Sequence, residues 1–279
     1  MKKSTIGIVV LSVLLIGMII PAGFSAADNN IVVTYGETTH ANSNYKSTVD
    51  NFFKTQANVD LKNVDTKIIT ADEVNKVASS ITGKTYSSSE IYSSALVKIK
   101  NSGNIEVSVD KSKITTITAD MYMSALKSAG IKQGQVYVTS PVTATGESAL
   151  TGIMNCYEEA TNVKIPENVK EVANKEIYVQ SEIVENSNVS ADNVSKLVDD
   201  VKETVQKENV TDHNTIVNII YNYTVTNNIN ITNSDIENLA NTIEQLQSVQ
   251  NEKNNYESEV SDAINSTESN DNILSGIFN

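Results

Sequence analysis

The chain has 279 residues, a formal net charge of -13, 39% hydrophobic residues and only 5% aromatic ones. That length and apolar content suit one large domain or two small ones, and exclude a disordered chain and, past the first segment, a polytopic membrane protein. A single cysteine rules out an intrachain disulfide, and all 21 basic residues are lysine. Arginine clamps for phosphate or carboxylate are therefore missing, and the acidic balance argues against nucleic acid as a partner.

The start reads as a secretory leader. Met1-Lys2-Lys3 is a basic tip, Ile6 to Ile20 an apolar run, and Pro21 to Ala27 a stretch ending in small residues. These match the three regions of a signal peptide, and about 15 apolar residues fall short of the roughly 20 that span a bilayer. Residues 1–27 are thus expected to be a signal peptide cut before Asp28, the alternative being an uncleaved N-terminal anchor. In either case the rest of the chain belongs outside the cytoplasm, extracellular or at the cell surface. Membrane contact is expected only through this segment, if it is uncleaved.

Downstream, Ile31 to Tyr35 predicts a strand ending at Gly36, and Val49, Phe52 and Phe53 set the apolar side of a helix over 44–57. Val64 to Ile69 reads as extended. Thr70-Ala71-Asp72-Glu73 is a capping box opening a helix that stops at Gly83. Residues 95–100 and 105–110 both alternate apolar and polar side chains around Asn101-Ser102-Gly103-Asn104, the pattern of a β-hairpin. A helix over 119–129, closed by Gly130, and a strand over 135–140 follow.

From Gly146 onward the period is helical. Leu150, Ile153, Met154 and Tyr157 form one stripe, and Pro166 suits the first turn of a short helix. Glu176 to Val184 is expected as a last strand. Three more stripes run over 194–205, 216–223 and 236–246, joined by short links that predict antiparallel neighbours. Past Gln250 the chain is polar and expected to fray, with an apolar end, Ile273 to Phe278, able to dock. Charge divides at the same place: residues 146–279 carry 23 acids and 7 lysines, residues 1–145 carry 11 and 14. The acids of the second half read as solvated helix faces.

Thr118-Ala119-Asp120-Met121-Tyr122, Ala125-Leu126 and Ala129-Gly130 lead into Pro141-Val142-Thr143-Ala144-Thr145-Gly146-Glu147-Ser148-Ala149-Leu150-Thr151-Gly152-Ile153-Met154, and Tyr157-Glu158-Glu159-Ala160-Thr161 closes the block. This block resembles the domain of unknown function 1002 family of exported bacterial and archaeal proteins. The resemblance runs from about Ile31 to Gln250 and includes the strand–glycine–helix start at Ile31 to Gly36. It implies export and a mixed fold, and brings no reaction or catalytic residue set with it.

The same block is the best place to look for a ligand. Thr143, Thr145, Gly146 and Ser148 gather hydroxyls and backbone N–H groups at a helix start, where an anion is favoured. Glu147 competes for that position, so capping is the simpler reading. Ser148 lacks the second glycine of a nucleophile elbow, and His40 and His213 lie in ordinary polar settings. The Ser-x-x-Lys patterns at Ser43, Ser108 and Ser124 arise at the rate chance predicts in a Ser- and Lys-rich chain. No catalytic set, metal site or cofactor is implied: two distant histidines and one cysteine offer no zinc spacing, and no calcium loop occurs. Asp199-Asp200 and Glu158-Glu159 point apart on helices, and Cys156 reads as a buried, inert thiol.

The reading is an α+β protein. A small mixed sheet with packed helices occupies residues 28–185, an acidic helical region 186–250, and a polar tail 251–279. Its expected role is that of an exported, non-catalytic protein binding an envelope or extracellular component. The alternative is a secreted hydrolase or wall-modifying enzyme with a site around residues 143–148.

Overall fold

The computed structural model describes residues 30–277, with side chains of the last helix up to Asn265. The leader segment and the end of the apolar Ile273–Phe278 stretch lie outside the described residues, and so do the side chains of that stretch.

Five strands form one sheet: β1 (Ile31–Gly36), β2 (Asp65–Ile69), β3 (Ser94–Lys98), β4 (Ile105–Val109) and β5 (Gly134–Thr139), in the order β2-β1-β3-β5-β4. Two parallel pairs, β1 with β2 and β4 with β5, flank β3, which is antiparallel to both of its neighbours. Each parallel pair needs a crossover. The first contains α1 (Glu37–Ala41) and α2 (Ser43–Ala57), the second α4 (Ala119–Ser128), while α3 (Ala71–Thr82) follows β2. The Thr70 capping box forms as expected: its hydroxyl accepts from Glu73 N at 3.2 Å, and Glu73 accepts from Thr70 N at 2.9 Å.

The hairpin expected over 95–110 does not form. β3 and β4 exist, but β5 lies between them and pairs with both. Residues 99–104 give the link enough length to pass one strand, and the crossover through α4 makes β5 a parallel neighbour of β4. β3 also departs from the expected alternation, because both of its faces are covered. Leu96 packs with Phe53 and Val49 of α2 on one side, and Ala95 and Val97 join the main core on the other.

That main core lies under α5 (Ser148–Thr161), which crosses β1 and β3, and reaches α6 (Glu167–Asn186). The strand expected over 176–184 is the second half of α6. This helix is covered by α3, α4, α7 and α9 together. Buried on most faces, its second half takes in Glu176, Gln180 and Ser181 as well as Ile177, Tyr178, Val179 and Ile183, so its sequence loses the one-sided apolar stripe that identifies a surface helix.

A second core is made by α7 (Ala191–Glu208), α8 (His213–Thr226) and α9 (Asn233–Ser248). Val179 and Ile183, on the last turns of α6, belong to it. The segment past Gln250, expected to fray, is helix α10 (Gln250–Ile277). It places Tyr256 and Ile264 in the main core. None of the described helices is long and apolar enough to cross a membrane.

Candidate functional site

The 143–148 block is a joint between β5 and α5. Ala144 N donates to Lys113 O at 2.9 Å, and Ile117 N donates to Thr145 O at 3.1 Å, so the 113–117 segment straps the block down. Gly146 has a φ of +116°, where a side chain is strained, and a Cβ there would stand 2.8 Å from both Ile114 Cγ2 and Tyr122 Oη. The Tyr122 phenol donates to Gly146 O at 2.5 Å.

Glu147 does not cap α5, since its side chain accepts no bond from the helix's amides. It turns inward, 7% exposed, and accepts from the hydroxyls of Thr145 and Ser181, the latter on α6. Burial and then the Glu147 carboxylate push the Tyr122 phenol well above its usual range. The same two causes, with Glu185, Glu90 and Glu182 adding, push Tyr86 up to about 12.

The four expected ligand residues therefore part company. Thr143 is exposed, Thr145 bonds Glu147, Gly146 is buried in the joint, and Ser148 is half-buried at the start of α5. His213 is not brought to them: its ring bonds Glu244 at 3.0 Å and Glu237 at 2.9 Å, both on α9. Cys156 is buried, and burial raises its thiol to about 12. Asp200 bonds Lys196 at 2.7 Å and Tyr223 at 2.5 Å, while Asp199 turns toward Ser124, also at 2.5 Å.

The acids are not all solvated. Glu158, 6% exposed, accepts from Ile165 N at 3.0 Å and pairs with Lys164 and Lys170, each at 3.1 Å. Glu176, 1% exposed, anchors a wider network. Ser124 Oγ donates to it at 2.7 Å, Ser128 Oγ at 2.6 Å and Lys202 Nζ at 2.9 Å. Lys202 also donates to both serine hydroxyls at 2.9 Å, so α4, α6 and α7 meet on one buried carboxylate. Such a site is tolerable only when every charge is paired.

Next to this network the helices leave a cavity of about 510 Å³, within the range that holds small molecules. Ser128 of α4, Lys202 and Val205 of α7, Ile243 and Leu246 of α9, and Lys253 of α10 are among its walls. Gln247 lines it too. The Gln247 amide nitrogen donates to Val210 O, which fixes its orientation, and Gln247 Oε1 is buried with no hydrogen-bond partner. Burial is the main influence on Lys253 and pulls its ammonium below the usual lysine range. Glu257 opposes this, while Lys132 and Lys202 add to it.

Sequence reasoning missed this cavity. Its residues come from segments more than a hundred positions apart, and no local spacing announces them. The nearest signal was Lys253, the one lysine beyond residue 207 in a strongly acidic half.

Comparison with known proteins agrees with the fold's extent. The family described as "Protein of unknown function (DUF1002)" matches residues 35–263. The chain is similar to "Uncharacterized protein YpuA" of Bacillus subtilis (strain 168), being 32% identical over 219 residues, which cover 76% of this chain and 70% of that protein. No solved structure matches the chain. From the end of β1 through the first half of α10, then, this chain belongs to the DUF1002 family.

Proposed function

We propose that this chain is an exported protein that binds a component of the cell envelope or its surroundings without transforming it. Export rests on the basic tip, apolar run and small residues of positions 1–27. Binding is carried by one observation: a small-molecule-sized cavity among α4, α7, α9 and α10, lined by both polar and aliphatic side chains. The hydrolase alternative would need an activated Ser148. The acid beside it, Glu147, instead spends both oxygens on Thr145 and Ser181.

Retention of the purified chain on envelope fractions tests the reading. Saturable retention is expected, and failure to hold any fraction would remove it.

A further inference from the structure

Helix α10 forms a wall of two cavities at once. The one of about 510 Å³ among α4, α7 and α9 has Gln250 and Lys253 in its lining. A second, of about 390 Å³, is lined by Glu257 and Ile264 of α10 together with Ile131, ahead of β5, and Tyr157 of α5. Asn254 lines both, so α10 is the element the two cavities share.

The inward face of this helix is poorly matched to an interior. Tyr256, Val260 and Ile264 recur at helical spacing, and Lys253 occupies the next place on the same face. Lys253 is ion-paired with Glu257 Oε1 at 3.7 Å, too far for a hydrogen bond. Five buried side-chain oxygen or nitrogen atoms among the described residues have no hydrogen-bond partner. Three of them, Gln247 Oε1, Tyr256 Oη and Glu257 Oε1, fall between residues 247 and 257, where α9 leads into α10. Such a group regains hydration when its surroundings open, so each one narrows the free-energy gap between a seated and a lifted helix.

What seats α10 against this cost is the burial of Tyr256 and Ile264 and a close contact with the turn after α4. Gly130 in that turn has a φ of +81°, and a Cβ there would stand 3.0 Å from both Tyr256 Cδ1 and Glu257 Cγ. Lys132 also holds Glu257 at 2.6 Å, but the lysine is largely exposed and such a pair contributes little. We propose that α10 is a strap: it lifts from the turn at Gly130 and reseats as a unit, and when lifted it joins the two cavities into one groove open to solvent. Access to the larger cavity is then set by the strap, a use that rests on reading the chain as a binding protein, whereas the motion does not.

Hydrogen exchange of the purified chain without ligand tests this. The amides of residues 253–264 are expected to share one protection factor, about 100-fold or more below that of residues 239–243 in α9. Tyr256→Phe removes an unpaired hydroxyl and keeps the ring, so it should raise that shared protection about fivefold. Protection in α10 equal to that of α9 would overturn the strap. So would protection that declines steadily from residue 253 toward 264, the pattern of a fraying end, or a Tyr256→Phe variant whose α10 is no better protected. If that variant does not fold, the pattern in the unaltered chain decides alone. A shared, low protection factor without envelope retention would keep the strap and remove the binding reading; retention without lifting would do the reverse.

Discussion

Glu147 shows how a residue that looks like site chemistry becomes architecture. It lies between two hydroxyls, one on its own joint and one on α6, and ties the start of α5 to α6. Glu147→Ala leaves both hydroxyls without their acceptor and should destabilise the fold by about 2 kcal/mol, read from urea unfolding. Thr143→Ala, at an exposed position, should change it by less than about 0.5 kcal/mol.

Gly152 makes the complementary point. In an isolated helix, Gly→Ala is worth up to about 1 kcal/mol in favour of alanine. Here a Cβ would stand 2.5 Å from Thr34 Oγ1 of β1 and 3.4 Å from Ile69 Cγ1. Gly152→Ala should therefore destabilise by about 1–3 kcal/mol, since α5 must lift from the sheet. A raised melting temperature would contradict the close approach. The Gly146 and Ser148 positions drew notice from sequence because a turn at a helix start has local grammar. The cavity lined by Gln247 and Lys253 had none, as it depends on burial that only the assembled helices create.

Among the elements, the parts that were legible in the sequence share a physical basis: they depend on neighbours within a few residues. The Thr70 box and the Thr118 cap of α4, whose hydroxyl accepts from Met121 N at 3.3 Å, are of this kind. So are the stripes of α7, α8 and α9. What could not be read is set by distant partners. β5 separates β3 from β4 although their turn and alternation favour a hairpin, and the second half of α6 packs against four other helices, which blurs its helical stripe.

One contact between elements should respond to pH. His213, at the start of α8, bonds Glu237 and Glu244 of α9, and these bonds raise its folded pKa above the ordinary 6.5. A raised histidine pKa means the stabilisation is fully present below about pH 6.5 and is lost as pH rises through the folded value. Amide protection at the α8–α9 contact, measured relative to the intrinsic exchange rate at each pH, should accordingly fall across that window. His213→Asn should flatten the dependence, and a variant retaining it would assign the effect to another group.

At the scale of the whole molecule, α6 makes one body of what charge divides into two halves. Val169, Ala173 and Ile177 sit in the sheet core, while Val179 and Ile183 sit in the helical core. Leu239→Ala, in the helical core, should lower stability by about 2–5 kcal/mol. It should move a single unfolding transition, seen alike by far-ultraviolet dichroism and by tyrosine absorbance. Two separated transitions would mean that the halves fold independently. The acidic half is also less solvated than its composition suggests, since Glu147, Glu158 and Glu176 are interior and each is satisfied by hydroxyls, lysines or an amide.

The proposed export would set which ligands this cavity can meet, so the compartment is the claim on which the functional account turns. The decisive measurement is fractionation of cells expressing the full-length chain, with the N-terminus of the recovered protein sequenced. The account predicts protein outside the cytoplasm, beginning at Asp28. Soluble cytoplasmic protein still beginning at Met1 would contradict it.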